Sequence, residues 1–452
     1  MREFSLREFA ALAGGRVCHA DSNLRITGFA TDSRAVNPGD LFLAIQGANV
    51  DGHGYVTAAL AQGAVAALVE HPVPGPSIFV PNLVYGLAAF ADEMRTLFAG
   101  PVIAITGSNG KTSTKEFTAA ALATLGSVLK SPGNRNTEYT APLLWASLVP
   151  ETRAVVAELA MRGLGQIAHL ARFTRPTIGV VTMIGTAHLE KVGNREGIAQ
   201  AKGELLEALT PEGIAVLWHE DEFREALRGR TTATVRTFGF SPDAECRIVG
   251  YRSEGWARSV VRGSLDGQAW ETVLPTVGRF QALNAAAALL AAHSAGADVN
   301  AGAARLGDAE LPPMRMEVRD RAGVTVVVDT YNASPDSTTA ALQALAEAPS
   351  AGPRWAILGE MKELGEFTES GHRAVGRAMA ETLPDRVILV GEPTAWMAEE
   401  ALRRGFPADR LTTAVDLDHV RRWLDEAVPG TTVLLKGSRA LELERVMEVP
   451  PR

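Results

Sequence analysis

Cysteine is nearly absent. The chain has two, Cys18 and Cys246, far apart and in unrelated contexts. No zinc site or disulfide framework can be built from them, which fits a reducing compartment. Arg2, Glu3, Arg7 and Glu8 interrupt the stretch where a secretory leader would need an apolar run, so none is expected. Long apolar runs are missing elsewhere too: the longest, Ala285 to Ala292, is too short to span a bilayer. The protein is therefore expected to be cytoplasmic, with no membrane insertion. Nor is there an excess of basic charge, since 44 Lys and Arg face 52 Asp and Glu for a net charge of −8. That disfavours a general nucleic-acid or anionic-membrane role, while leaving room for a local basic site on a phosphorylated ligand. No repeat of solenoid period is present and no low-complexity tract.

What is present is a globular composition, 46% hydrophobic and 21% charged, over 452 residues. That length suggests about three domains. Two proline- and glycine-rich breaks punctuate it: Pro72-Val73-Pro74-Gly75-Pro76, followed by a helix-like stretch ending at Ala99-Gly100-Pro101, and Leu311-Pro312-Pro313. They divide the chain into residues 1–99, 100–312 and 313–452. The middle segment opens with Val102-Ile103-Ala104-Ile105-Thr106, a Gly-containing turn and a helical pattern from Thr112. Further β-rich runs follow at Ala154–Ala157, Ile178–Thr182 and Ile214–Leu217. The alternation predicts a mainly parallel sheet covered by helices. In the last segment Val324–Val328, Trp355–Leu358, Val387–Val390 and Val433–Leu435 read as buried strands between helices, a Rossmann-like unit. The expected class is α/β, with three domains.

The strongest chemical signal is Thr106-Gly107-Ser108-Asn109-Gly110-Lys111-Thr112, between a strand and a helix. Glycines let the backbone N–H groups curl toward a phosphate chain at a helix N-terminus. Lys111 would reach the β- and γ-phosphates and the Thr112 hydroxyl would ligate Mg²⁺. The pattern is not the full Walker motif, because Ile105 stands where it has its first glycine. Glu158 ends an apolar strand and His188 follows another, so a carboxylate and an imidazole would point into the crevice that holds the phosphate loop. Either alone would be an ordinary loop residue; beside a phosphate loop they read as metal ligands.

Together these residues resemble the Mur ligase family over almost the whole chain. The N-terminal blocks are Thr31-Asp32-Ser33-Arg34, Gly39-Asp40-Leu41-Phe42 and Asp51-Gly52-His53. Centrally the phosphate loop is joined by Gly133-Asn134-Arg135-Asn136, Glu158 to Gly163, Ala187-His188-Leu189-Glu190 and Ala201-Lys202-Gly203-Glu204. The last are Asp329 to Pro335, Gly359 to Gly365 and Lys436-Gly437-Ser438-Arg439. These blocks are most similar to the members that add D-alanyl-D-alanine to UDP-N-acetylmuramoyl-tripeptide with ATP, in peptidoglycan precursor synthesis. The resemblance implies a uridine-nucleotide-binding α/β domain, a central ATP-binding domain and a C-terminal Rossmann-like domain for the incoming dipeptide; a monomer is expected. It implies ATP contacts from Gly107, Ser108, Asn109, Gly110, Lys111, Thr112 and Ser113, with Asn284 and Asp329 at adenine and ribose and Arg315 near the phosphates. Two Mg²⁺ ions would be held by Thr112 and by Glu158 with His188. Lys111, Lys202 and His188 would be catalytic, Lys202 as a carbamylated lysine. Ser33 and Arg34 would face the uridine nucleotide, and Asn332, with the Lys436–Arg439 segment, would help hold the dipeptide or close the site.

The chain departs from the family pattern at several positions. Phe280-Gln281 replaces His-Asn in the adenine loop, and Met183 replaces an asparagine ahead of His188. Thr137 and Thr140 replace an asparagine and a glycine, and Glu360 an aspartate. Among rival readings, the preceding ligase, which extends UDP-N-acetylmuramoyl-dipeptide by the third amino acid, usually carries an Asp-Asn-Pro-Arg block that is absent here. A folate polyglutamate ligase would not need the Asp32-Ser33-Arg34 domain. A non-catalytic nucleotide-binding partner would have no use for Lys111, Thr112, Glu158, His188 and Lys202 together. A P-loop motor would want an aspartate-ended Walker B strand, and no convincing one is found.

Overall fold

The computed structural model of the protein describes residues 2–47, 50–187 and 189–448. Its strands form three separate larger sheets and one small two-stranded sheet, in an α/β fold of three domains. In the first, strands Arg16–Cys18, Ser77–Phe79, Ala66–Val69, Asp40–Leu43 and Gly28–Ala30 lie side by side in that order. All pairs are parallel except the one joining Arg16–Cys18 to Ser77–Phe79. Helices Leu6–Leu12 and Leu83–Thr96 cover it through Phe9 and Phe90, whose ring centroids are 4.7 Å apart. Burying each such ring contributes about 2–3 kcal/mol.

The central sheet positions the site. From one edge its order is Ser127–Lys130, Thr152–Glu158, Val102–Thr106, Ile178–Val181, Ile214–Trp218, Thr234–Gly239 and Cys246–Ser253, all parallel. Two antiparallel strands, Ser259–Leu265 and Gln268–Leu274, then extend it. Val102–Thr106 is wholly buried, as its unbroken β-branched and alanine run demands of a strand covered on both faces. The chain leaves it for one neighbour and later returns to the other, so a crevice opens at its C-terminal end. Helix Lys111–Leu122 packs there against Arg279–Ser294, which is alanine- and leucine-rich and buried along nearly its whole length.

The C-terminal sheet has the order Glu317–Arg321, Val324–Asp329, Thr432–Lys436, Arg354–Gly359, Arg386–Val390 and Leu411–Ala414; only the first pair is antiparallel. The four strands expected in this segment are present within a residue or two of their predicted ends. The three expected after Val102–Thr106 are present as well. The antiparallel extension formed by Ser259–Leu265 and Gln268–Leu274 had no counterpart in the sequence reading. No helix among the described residues is long and apolar enough to cross a membrane.

Candidate functional site

The phosphate loop joins the end of strand Val102–Thr106 to helix Lys111–Leu122. Gly107 has φ +150° and Gly110 φ +82°, and a Cβ at either would run into Thr182 or Asn284. Both conformation and space therefore demand glycine. The loop is tied to the next strand's exit: Ser108 N donates to the Met183 carbonyl (2.9 Å), Gly185 N to Ser108 Oγ (2.9 Å), and Thr182 Oγ1 to the Asn109 carbonyl (2.5 Å). Lys111 Nζ folds back onto the Gly107 and Ser108 carbonyls at 2.8 and 3.3 Å. Burial lowers the Lys111 pKa from its ordinary value; nearby Glu158 opposes that shift and Arg315 adds to it.

Two cavities meet at this loop. The first, about 390 Å³, is lined by Lys111, Thr112, Glu158, Asn136 and Tyr139 among others. Glu158 is 2% exposed. Its Oε1 accepts from Asn136 Nδ2 at 2.8 Å, its amide donates to Ser131 Oγ at 3.0 Å, and Oε2 has no hydrogen-bond partner among the described residues. A buried carboxylate oxygen with no hydrogen bond, in a cavity that Thr112 also lines, fits a hard cation, which takes oxygen ligands; Lys115 Nζ stands 3.8 Å from it. The site thus suits Mg²⁺. The third expected ligand, His188, lies outside the described residues.

The second cavity, about 260 Å³, is lined by Phe280, Gln281, Asn284, Met183, Trp218 and Asp329 among others. Asn284 Nδ2 donates to Gln281 Oε1 at 3.0 Å, so the replacement glutamine supplies the amide network and Phe280 an aromatic wall. Met183, one of the departures noted in the sequence, lines this second cavity. Its Sδ is 4.0 Å from Asn109 Nδ2. Ser113 and Asn109 also line this cavity.

Arg315 and Asn332 line both cavities. Met314 and Met316 on either side of Arg315 have φ of 59° and 55°, left-handed conformations that cost a non-glycine residue about 1–2 kcal/mol. The guanidinium stands 4.1 Å from the centroid of the Tyr331 ring, and its Nε is buried without a hydrogen-bond partner among the described residues. Asp329 ends its strand opposite Lys436, whose Nζ is 2.8 Å from Asp329 Oδ2 and 2.6 Å from the Asn332 carbonyl. Lys436 therefore braces Asp329 and Asn332. Tyr139, Trp218, Tyr331 and Lys115 are among the side chains to which the sequence reading gave no separate role; burial of Lys115, at 0% exposure, has no local sequence signal.

Lys202 sits in the middle of helix Arg195–Glu207 and is 1% exposed. Among the described residues its amine makes no hydrogen bond or ion pair. Burial first, and the charge of Lys111 second, push its amine well below the usual lysine range. Nearby Glu204 accepts from the Gly165 and Ala168 amides (2.6 and 2.9 Å), capping helix Gln166–Thr174.

Ser33 and Arg34 line neither cavity. They form a short 3-10 turn in the N-terminal domain, where the Arg34 guanidinium and amide hold Asp32 with its pKa lowered to about 2. Asp51 and His53 are also occupied locally: the His53 ring binds Asp51 Oδ1 at 2.7 Å and accepts the Glu70 amide at 2.9 Å, committing both nitrogens. A larger cavity, about 650 Å³, lies at the opposite end of the central sheet, by Arg95, Thr177 and Gly213, away from the strand ends where ligands bind such sheets.

Three family models match the chain: Mur ligase family, catalytic domain, over residues 25–105; Mur ligase middle domain over 105–292; and Mur ligase, glutamate ligase domain, over 314–439. A curated relative from Mycobacterium bovis, a UDP-N-acetylmuramoyl-tripeptide--D-alanyl-D-alanine ligase, is 37% identical, covering 99% of this chain and 98% of its own. A crystal structure of MurF from Acinetobacter baumannii superposes with a TM-score of 0.88 at 26% identity, over 99% of this chain and 98% of that one. The MurF ligase of Thermotoga maritima in complex with ADP gives a TM-score of 0.80 at 30% identity, over 93% and 96%.

Proposed function

We infer that this chain, which belongs to the Mur ligase family, is an ATP-dependent ligase that adds D-alanyl-D-alanine to UDP-N-acetylmuramoyl-tripeptide. The observation that carries the reading is likeness over nearly the full length of relatives bearing that name, joined to a glycine-bound phosphate loop between two cavities. We assign residues 1–99 to the uridine-linked acceptor through Ser33 and Arg34, 100–312 to ATP, and 313–452 to the dipeptide. Action as a cytoplasmic monomer completes the proposal; the two unpaired cysteines fit the compartment.

A carboxylate does not react with an amine in water at a useful rate, so it must first be activated. An acceptor carboxylate oxygen attacks the γ-phosphorus of ATP, ADP leaves, and an acyl phosphate forms. The amine of D-alanyl-D-alanine then attacks the acyl carbon, and phosphate departs with the former carboxylate oxygen. The protein's task is positioning and charge stabilisation. In this proposal the base lies against Phe280 with its polar edge toward Gln281 and Asn284. Asp329, braced by Lys436, takes the ribose. The triphosphate crosses the phosphate loop under Arg315, and Lys111 leaves the Gly107 and Ser108 carbonyls for the γ-phosphate. Thr112 and Glu158, with His188, would hold Mg²⁺, whose charge offsets that of the phosphates. Lys202, buried with no counter-ion among the described residues, suits conversion to a carbamate. Asn332 faces the incoming dipeptide.

ADP release measured with a panel of UDP-linked acceptors and amines tests this. Turnover is expected only with UDP-N-acetylmuramoyl-tripeptide and D-alanyl-D-alanine together. Equal turnover with a UDP-linked dipeptide and a single amino acid would instead assign the preceding step, and ATP turnover without either would indicate a motor.

A further inference from the structure

Lys115 lies one helical turn beyond Lys111 and is completely buried, although none of the chemistry above uses it. Its Nζ donates to the Gly133 carbonyl at 2.9 Å, stands 3.1 Å from Glu116 Oε1, and is 3.8 Å from Glu158 Oε2, the oxygen without a hydrogen bond among the described residues. Glu116 has a second cation of its own, Lys130, at 2.5 Å. Two carboxylates and two ammonium groups are thus linked in one chain, and the charges already balance. Lys111 and Arg315 add further positive charge along the wall of the same cavity. The Gly133 carbonyl that Lys115 holds belongs to the loop carrying Asn136, whose amide fixes the other Glu158 oxygen. Lys115 therefore touches Glu158 twice, once through space and once through that loop.

A buried ion pair that is already neutral gives a divalent cation little net attraction, and each nearby ammonium opposes it. We propose that Lys115 is a built-in counter-ion to Glu158, which keeps the Glu158 metal position from filling until anionic substrates arrive. The inference rests on the reading of Glu158 as a metal ligand. It makes metal occupancy there conditional on the charges of the triphosphate and the acceptor carboxylate. The consequence is order: the cavity acquires its cation together with the groups that will react, rather than before them. Lys115 acts through Glu158 and is a positioning residue. A purely structural lysine would lower stability when replaced, without tightening metal binding.

Mn²⁺ serves as the probe, its free concentration followed by electron paramagnetic resonance with the full chain. In the absence of other ligands, Lys115→Met is expected to bind Mn²⁺ about tenfold tighter than the unmodified protein. Lys115→Arg, which keeps the charge, should restore the weaker binding, and adding Glu158→Gln to Lys115→Met should abolish the gain. Binding by Lys115→Met that is unchanged or weaker overturns the proposal. A second measurement does not depend on that variant folding. Glu158→Gln alone should leave ligand-free Mn²⁺ binding unchanged. It should weaken binding about tenfold once a non-hydrolysable ATP analogue and the UDP-linked tripeptide are present. If Glu158→Gln already weakens ligand-free binding, the counter-ion idea is wrong while the metal-ligand reading stands. If it weakens neither, the metal-ligand reading itself fails, and the proposal with it.

Discussion

At the residue scale, two lysines from different elements stand near enough for the charge of one to act on the other, Lys111 half-buried and Lys202 fully buried. Lys111 is satisfied by the Gly107 and Ser108 carbonyls, whereas Lys202 has no hydrogen-bonding or ion-pair partner among the described residues. Lys111→Ala should lower kcat about a thousandfold with the fold intact, because the ammonium stabilises charge that grows in the transition state. Steady-state kinetics with circular dichroism checks this, and near-normal activity in a folded variant would misplace the γ-phosphate. For Lys202, burial and the neighbouring positive charge favour the neutral amine, the form that adds CO₂. Lys202→Ala should lose most activity, and acetate in the vacated space should restore part of it. A fully active variant would remove the carbamate from the scheme. The phosphate loop and Glu158 were legible because their residue types and strand-end spacing are local. The burial of Lys202 and Lys115 was not, since exposure is decided by which helix faces pack inward.

At the scale of elements, the long buried strands were readable from continuous β-branched runs such as Val326-Val327-Val328. The N-terminal sheet was not, because its strands are as short as Arg16–Cys18 and Gly28–Ala30 and carry little periodicity. Helix Thr368–Thr382 illustrates a coupling that periodicity cannot reveal. Its His372 accepts the Met361 amide on Nε2 at 3.1 Å, and its Nδ1 lies 2.6 Å from the Thr368 carbonyl. The ring thus bridges the helix to the loop after strand Arg354–Gly359. Burial lowers its pKa from the ordinary 6.5. Below that ordinary value the unfolded chain takes up a proton that native His372 refuses. Stability is therefore complete above about pH 6.5 and falls as pH drops from there toward the lowered native value. Urea unfolding at a series of pH values should show this acid loss, and His372→Gln should make it shallower. An unaltered slope in the variant would mean that other groups carry it.

At the scale of the molecule, the C-terminal domain is seated directly on the phosphate loop. Asn109 Nδ2 lies 3.3 Å from Ser334 Oγ, and Asp336 Oδ2 accepts from both Thr186 N (2.7 Å) and Thr186 Oγ1 (2.6 Å). Trp256, at the turn of the antiparallel extension, packs with Val277 and Met316 in the same buried cluster as Ala341 and Leu345. These contacts join segments far apart in sequence, so no local pattern announced them. Each hydrogen bond to the Asp336 carboxylate contributes about 1.5–3 kcal/mol, so Asp336→Ala should shift the balance toward an open form by tenfold or more. Small-angle scattering with ATP analogue and acceptor should show compaction of the unmodified protein and a larger radius of gyration for the variant. Identical profiles would deny the contact any part in closure. The central claim, activation of the acceptor carboxylate by phosphoryl transfer, is tested most directly by a heavy-oxygen label. With the label in the terminal carboxylate of UDP-N-acetylmuramoyl-tripeptide, turnover with ATP and D-alanyl-D-alanine should transfer one labelled oxygen to each phosphate released. Inorganic phosphate free of label, with ligation proceeding at its normal rate, would contradict the account.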